Sequence, residues 1–379
     1  MKIHRCKSCV ETDTRPTTAF DKNGICLPCK NVSISAIEVI NWEERANILQ
    51  EIVTKAKSSI PEGEYNCIIG VSGGKDSLRQ ALFAREVGFN PLLVSCTYPP
   101  EQITQRGADN LANLIELGFD TIIVQPAPLT SKEMMLYCLK TYGNLFNASE
   151  LALYSSLPIT AIAYNIPLIL LGENPALAFG TDVGSHDYSG NNMRNMNTLK
   201  GGNPRQFAPT SIHDNKLFWY RYPNKEEFEK ADIDIVYLGW FMKDFNDYDN
   251  ARIAIEHGLQ TRIGEDVKPE NIGGIQPHVA LDDDFVIINQ MLKYLKFGFG
   301  KATQEVGVAI RSGRMSREEG KKIVQAYDGK YHQKYLDALC NYLQITEEQF
   351  WNIINPFINK EIFEKKDGKW VMKEGADVW

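Results

Sequence analysis

The chain has 379 residues, of which 43% are hydrophobic and 23% charged, with a formal net charge of −7. This is ordinary for a soluble globular protein of one main domain with appendages, and its acidity argues against a broad nucleic-acid footprint. Met1–Asp13 has no apolar signal segment and the longest apolar stretch, Ile166–Leu171, cannot span a membrane, so the expectation is a cytoplasmic protein without membrane insertion.

Residues 1–32 are poor in apolar side chains and cannot build a core alone. They carry Cys6-x-x-Cys9 and Cys26-x-x-Cys29, the spacing of a four-thiolate metal knuckle. Four sulfurs suit tetrahedral Zn²⁺ and leave no open position, so the metal would be structural; an iron–sulfur or redox cysteine set is the alternative. A linking helix is predicted next, within 33–60, from Ser33 to Ser58, with Ser35 and Glu38 as a capping pair and Pro61-Glu-Gly63 as its stop.

A βα rhythm follows. Strands are expected at Cys67–Val71, Leu92–Cys96, Thr121–Val124, Pro167–Leu171 and Ile233–Leu238. Helices are expected at Ser77–Val87, Ala108–Leu117, Lys132–Lys140 and Ser149–Tyr164. Short apolar strands alternating with helices predict an α/β fold, a doubly wound parallel sheet, over residues 61–300. The Asn- and Gly-rich segment Asn174–Lys230 breaks the rhythm, as a functional loop or a disordered one. After Leu281 the pattern is helical; Ser316/Glu319 and Thr346/Gln349 are further capping pairs, and 301–379 is expected to be a C-terminal helical region. Cys67, Cys138 and Cys340 read as small buried hydrophobes, whereas Cys96 ends the second strand, where such sheets bind ligands.

The chemistry-bearing motif is Ser72-Gly-Gly-Lys-Asp-Ser77, between the first sheet strand and its helix. The usual phosphate loop fails here, because Ile69 replaces its first glycine and Asp76 its Ser/Thr; adjacent Gly73 and Gly74 also exclude the dinucleotide fingerprint. Two glycines nevertheless let the backbone approach an anion closely, at a helix start whose N–H groups and dipole favour one. Ser72 and Ser77 can donate to phosphate, Lys75 adds charge, and Asp76 is tolerable beside phosphate only with a cation.

Ser72–Ser77 resembles the PP-loop, S-G-G-x-D-S, of the N-type ATP pyrophosphatases. Together with the four-cysteine knuckle, Leu171-Gly-Glu-Asn-Pro175, Tyr237-Leu-Gly-Trp-Phe241, Leu281-Asp-Asp-Asp-Phe285 and Lys296-Phe-Gly-Phe-Gly-Lys-Ala-Thr303, in this order, the chain is similar to the bacterial N-acetyl sugar amidotransferases of surface-polysaccharide and flagellin-sugar synthesis. The resemblance covers nearly the whole chain. It implies an adenine nucleotide alpha hydrolase-like fold and use of ATP and Mg²⁺, with Zn²⁺ in the knuckle. The activity implied converts an acetamido group of a nucleotide-activated sugar to an acetamidino group, for lipopolysaccharide O-antigen or a related glycan. It further implies a separate glutaminase, often with a cyclase-like ammonia-conducting partner, since no glutaminase motif is evident here.

On this resemblance Ser72, Gly73, Gly74 and Ser77 hold pyrophosphate, Lys75 neutralises charge and Asp76 contacts Mg²⁺. Adenine is expected near Ser95, Cys96 and Thr97. Gly172, Glu173 and Asn174 face the same crevice, Glu173 or Asn174 orienting ammonia or the acetamido group, though Glu173 can equally serve as a helix cap or ion-pair partner. Lys301 and Thr303, with Arg311 and Arg314 on one helix face, suit a sugar-nucleotide diphosphate or else form a solvated basic face. Asp282–Asp284 reads as a helix N-terminal charge cluster, with metal binding as the alternative, and His186, Asp187 and Arg194 lie in a loop able to close over the sugar. Two rivals stay open: a tRNA-thiolating PP-loop enzyme using Cys96, and a non-enzymatic zinc-ribbon or nucleotide-binding protein.

Overall fold

Short apolar runs from Cys67 onward build the sheet that the sequence predicts. The computed structural model describes residues 1–16, 18–37, 40–175, 187–195 and 199–379. After a short strand β1 (Ile3–His4) come helices α1 (Leu27–Ile37) and α2 (Trp42–Ser58). The chain then runs β2 (Cys67–Gly70), α3 (Lys75–Glu86), β3 (Pro91–Cys96), α4 (Gln105–Glu116), β4 (Thr121–Val124), α5 (Pro128–Tyr142), α6 (Asn147–Tyr164), β5 (Leu168–Leu171), α7 (Lys225–Ala231) and β6 (Asp234–Tyr237). These five long strands form one parallel sheet in the order β4-β3-β2-β5-β6. The sequence runs outward from β2 in one direction and returns to its other side at β5, so the switch point lies between β2 and β5.

Alternate residues of each strand face opposite layers, as a pleat requires. Ile69, Leu93, Leu170 and Val236 pack with Leu49 and Val53 of α2, Leu78 of α3 and Leu111 of α4. Ile68, Val94, Ile169 and Ile235 pack against Leu157 and Ala161 of α6. Fully burying one such aliphatic side chain contributes about 1.5–3 kcal/mol. Near α6 the approach is close: a Cβ on Gly70 would lie 2.9 Å from Leu157.

Two expectations are corrected. The helix predicted from Ser33 is two helices; α1 begins at Leu27, beside the second cysteine pair, and α2 is capped afresh by Asn41, whose side chain accepts from the Glu44 N–H. Ser35 is therefore inside α1 rather than at a start, and Glu38 lies outside the described residues. The 174–230 segment is neither plain loop nor coil where it is described. Short 3-10 turns at Met193–Asn195, Lys200–Gly202, Pro204–Phe207 and Asp214–Tyr220 bury Phe207, Tyr220 and Tyr222 against Met134, Cys138 and Leu151. Its aromatic residues, spaced without regular period, do this anchoring. Residues 188–190 also bond β6, through Tyr237 N–H to Tyr188 and Gly190 N–H to Ile235, and so cover the sheet edge.

Beyond β6 lie α8 (Asp247–Glu256), the single turn α9 (Pro269–Ile272), α10 (Phe285–Phe297), α11 (Lys301–Arg311), α12 (Arg317–Tyr327), α13 (Gln333–Leu343) and α14 (Glu347–Ile354). Both predicted capping boxes form, at Ser316/Glu319 and Thr346/Gln349. The C-terminal region is not all helix: β7 (Phe363–Lys366) and β8 (Lys369–Met372) form a hairpin turned by Asp367 and Gly368, both in the left-handed region. A last strand, β9 (Asp377–Val378), pairs in parallel with β1 and ties the two ends together.

A buried guanidinium locks that closure. Arg5, with only 1% of its side chain exposed, donates to both Asp377 carboxylate oxygens at 2.7 and 3.1 Å, and to Thr303 Oγ1 at 3.0 Å. Asp377→Ala leaves that charge buried without its counter-ion and is expected to cost about 3 kcal/mol. Thermal or urea denaturation checks this, and a change within experimental error would contradict it.

Candidate active site

The glycine loop follows β2 and the Leu171–Pro175 motif follows β5, so both lie at the C-terminal lip of the switch-point crevice. Gly73 has φ +79, and a Cβ there would lie 2.9 Å from the α4 backbone at Asn110 and Leu111. The loop is thus pressed onto α4 in a conformation that favours glycine. Gly74 is the N-cap of α3 and offers no side chain, which leaves the first helical N–H groups without a side-chain cap. Ser72 is exposed beside them, but Ser77 is buried and its hydroxyl donates to the Gly74 carbonyl at 3.0 Å. As it stands, Ser77 supports the turn rather than presenting its hydroxyl outward.

Lys75 is 8% exposed and its ammonium bridges two carboxylates, Asp76 at 2.6 Å and Asp247 at 2.8 Å. Burial alone would push its pKa down; the two carboxylates overturn that and hold it above the usual lysine value. Asp247 is opposed by burial but kept well below the ordinary carboxylate range by His278, 3.3 Å away, and by Lys75. Asp76 also accepts from the Asn250 amide at 2.8 Å. Asp247, Asn250 and His278 were not legible as site residues. The signal was there in Asp244–Asp249, an acid-rich stretch following the fifth sheet strand, the position where these sheets collect ligands.

Across the crevice Glu173 is open to solvent, yet its pKa is pushed up to about 7 by burial and by Asp76 and Asp247, against the pull of Lys75 and Lys301. Its open face softens the burial contribution, so the neighbouring carboxylates carry the direction. Asn174 is buried and donates to the Asp187 carbonyl at 2.8 Å. Gly172 is a packing position, since a Cβ would meet the Gln80 amide and Phe245. The structure thus brings Lys75, Asp76, Glu173 and Lys301 within electrostatic reach of one another. A loop of N–H donors facing Asp76, Asp247 and Glu173 fits a phosphate chain that arrives with a cation; Asp76 and Asp247 are the groups able to hold Mg²⁺.

Ser95–Thr97 lie on the other side of β2. Cys96 and Thr97 line a cavity of about 60 Å³ with Tyr98, Ser149, Glu150 and Tyr220, while Ser95 is buried. Glu150, a residue the sequence did not single out, has its pKa pushed up to about 7 by burial. The Cys96 thiol is pushed up to about 12 by burial and is a poor nucleophile.

The four cysteine sulfurs lie within 4.8 Å of one another and all four residues are buried. The Cys6–Cys29 and Cys9–Cys26 sulfur separations of 4.0 and 3.6 Å bracket the edge of about 3.8 Å that a Zn–S length of ~2.3 Å gives a tetrahedron. Backbone N–H groups of Ser8, Cys9 and Cys26 point at Cys6 Sγ, and that of Glu11 at Cys9 Sγ, as anionic sulfur requires. The residues fit structural zinc.

Several candidates serve the scaffold instead. Thr303 is fully buried and donates to Asp328 at 2.5 Å while accepting from Arg5. Arg311 and Arg314 do not share one face: the Arg311 guanidinium lies 3.7 Å from Cys9 Sγ, whereas Arg314 is exposed and stacks 4.3 Å over Tyr248. Among Asp282–Asp284, Asp283 accepts from the Phe285 N–H at 2.8 Å, at the start of α10, and Asp284 pairs with Arg106 and Arg262, so the run is a helix entry. Arg194 donates to the Gly201 carbonyl within the 3-10 segment, and His186 lies outside the described residues.

The raised pKa of Glu173 has a testable sign. Its contribution to stability is present in full below the ordinary value of 4.5 and is lost as pH rises through about 7. Glu173→Gln should therefore melt close to the unsubstituted protein in mild acid and increasingly above it towards neutrality. A melting difference that does not vary with pH would contradict this.

No curated protein matches the chain. Among solved structures, the NH3-dependent NAD synthetase from Campylobacter jejuni subsp. jejuni NCTC 11168 in complex with the nitrate ion aligns at 14% identity and a TM-score of 0.29, covering 60% of this chain and 100% of that one. Residues 279–376 match the model of the C-terminal domain of WbpG-like LPS biosynthesis proteins. That similarity is to the C-terminal part of the chain, and it fits the sugar amidotransferase family that the ordered motifs resemble.

Proposed function

We propose that this chain is an ATP-dependent amidotransferase that converts the acetamido group of a nucleotide-activated sugar to an acetamidino group, releasing AMP and pyrophosphate, in O-antigen or related glycan synthesis. The observation that carries the reading is that the anion-seeking glycine loop after β2 and Glu173 after β5 lie at the same lip of one switch-point crevice. The WbpG-like C-terminal domain supports the sugar as substrate class.

An amide oxygen is a poor leaving group. The acetamido oxygen would attack the α-phosphorus of ATP, and pyrophosphate would depart into the Ser72–Gly74 loop, where fixed N–H donors meet the developing charge. Lys75, held between Asp76 and Asp247, sets the loop's charge, and Asp76 with Asp247 would hold Mg²⁺, which shares the charge on the phosphate oxygens. Ammonia then attacks the imidate carbon, AMP leaves with the former amide oxygen, and Glu173 accepts the proton that the new nitrogen sheds. A carboxyl with a raised pKa suits that exchange. Asn174 positions the segment at Asp187 beside it. A separate glutaminase, with a cyclase-like conductor, would supply ammonia. The thiolation reading loses ground because its cysteine, Cys96, carries a thiol held near 12.

The test supplies zinc-loaded protein with ATP, Mg²⁺, ammonium salt and single nucleotide-linked acetamido sugars. One sugar is expected to yield AMP and to exchange oxygen for NH by mass spectrometry. ADP as product, or AMP released only with tRNA and a sulfur donor, would overturn the proposal.

A further inference from the structure

Asp76 and Asp247 are the carboxylates able to hold a cation beside the glycine loop, and both are already engaged. Lys75 Nζ lies 2.6 Å from Asp76 Oδ2 and 2.8 Å from Asp247 Oδ1. The second oxygen of each has a partner too. Asp76 Oδ1 accepts from the Asn250 amide at 2.8 Å, and Asp247 Oδ2 faces His278 Nε2 at 3.3 Å. Asn250 is buried, so this side of the pair is closed by protein. The carboxylate side chains remain 31% and 22% exposed, against 9% for that of Lys75. An entering ion can therefore reach the two carboxylates, but it meets oxygens that the lysine already bridges.

Metal and lysine cannot both take those oxygens. A Mg²⁺ ion at its bond length of ~2.1 Å from the same two would lie against the ammonium. The charges agree. Two carboxylates and one ammonium leave one negative charge over; a divalent ion added to them leaves a positive charge, part-buried and without an anion. A phosphate chain reverses that balance, because it brings several negative charges. Lys75 is placed to answer it. It is the first residue of α3, directly after the N-cap Gly74, so its stem starts at the anion-seeking loop while its ammonium ends on the carboxylates. Rotation about a flexible four-carbon stem can carry the charge from one to the other with the backbone fixed.

Resting on the reading of this crevice as a site for ATP and Mg²⁺, we propose that Lys75 is a built-in competitor for the metal position: its ammonium bridges Asp76 and Asp247 until a phosphate chain enters, then moves to the phosphate and releases both carboxylates to Mg²⁺. Metal loading is thereby coupled to nucleotide binding. The test needs no turnover. Zinc-loaded protein without nucleotide or sugar is titrated with Mn²⁺, an oxygen-seeking stand-in for Mg²⁺, and free ion is read by electron paramagnetic resonance. Lys75→Met should bind Mn²⁺ about tenfold more tightly than the unsubstituted protein. Lys75→Gln should shift it the same way if Lys75→Met misfolds. Arg79→Met removes an equal charge one turn along α3, from a side chain paired with Asp244 instead, and should leave Mn²⁺ affinity within error. Adding Asp247→Asn to Lys75→Met should erase the gain. No gain on replacing Lys75, an equal gain in Arg79→Met, or a gain that survives Asp247→Asn would each overturn the proposal. A second readout follows the other half of the movement. Without added divalent metal, a non-hydrolysable ATP analogue should bind Lys75→Met about tenfold more weakly; unchanged or tighter binding would also overturn it. If no sugar yields AMP but both shifts are found, the amidotransferase reading fails and the assignment of Lys75 stands. If AMP and the amidino sugar form but Mn²⁺ affinity does not change, the reverse holds.

Discussion

One buried ammonium organises the crevice. Lys75 opens α3, directly after the glycine pair, and its charge is shared between its neighbour Asp76 and Asp247 at the start of α8. A buried cation demands this much compensation. The pairing pins the loop after β2 to the segment after β6, across β5. Everything else proposed for the site follows from that constraint. The crevice has its two walls bonded through one side chain. It is acidic because two carboxylates meet one lysine; with burial, they raise the pKa of Glu173, and they make a cation the natural companion of any phosphate chain that enters.

The remaining architecture keeps those walls in register. α11 is the main brace. Its first residue, Lys301, pairs with Glu305 and its charge acts on Glu173; Thr303 joins Arg5 and Asp328 in a buried network; and Arg311, at its end, lies against the cysteine cluster. Arg317 of α12 donates to the Cys6 and Cys9 carbonyls as well. The N-terminal knuckle, which lacks a core of its own, is therefore built onto the C-terminal helices, and the β1–β9 pair closes the contact. Zinc in the knuckle would stiffen the far end of the helix that carries Lys301.

Much of this was legible. Each sheet strand was readable to within a residue or two at its ends, because fully buried parallel strands are short continuous apolar runs with turn residues between them. The glycine loop was legible because a helix start without side-chain caps is a local signal. What stayed hidden was long-range. Asp247 and His278 are unremarkable until the fold carries them to Lys75. Arg311 and Thr303 looked like ligand-binding groups because spacing records a helix face but not what covers it, and here the covers are the knuckle and Asp328. The 174–230 segment looked irregular because its order comes from aromatic residues buried on α5 and α6, with no period to betray them. The Asp-Gly turn of the last hairpin was a readable signal that the surrounding helical pattern obscured.

The central claim is that the acetamido oxygen itself attacks ATP at this crevice. A sugar labelled with oxygen-18 in its acetamido carbonyl tests it directly. The account predicts that one turnover moves the label into the phosphate of AMP, with none in pyrophosphate. Unlabelled AMP, or label in inorganic phosphate alongside ADP, would contradict it.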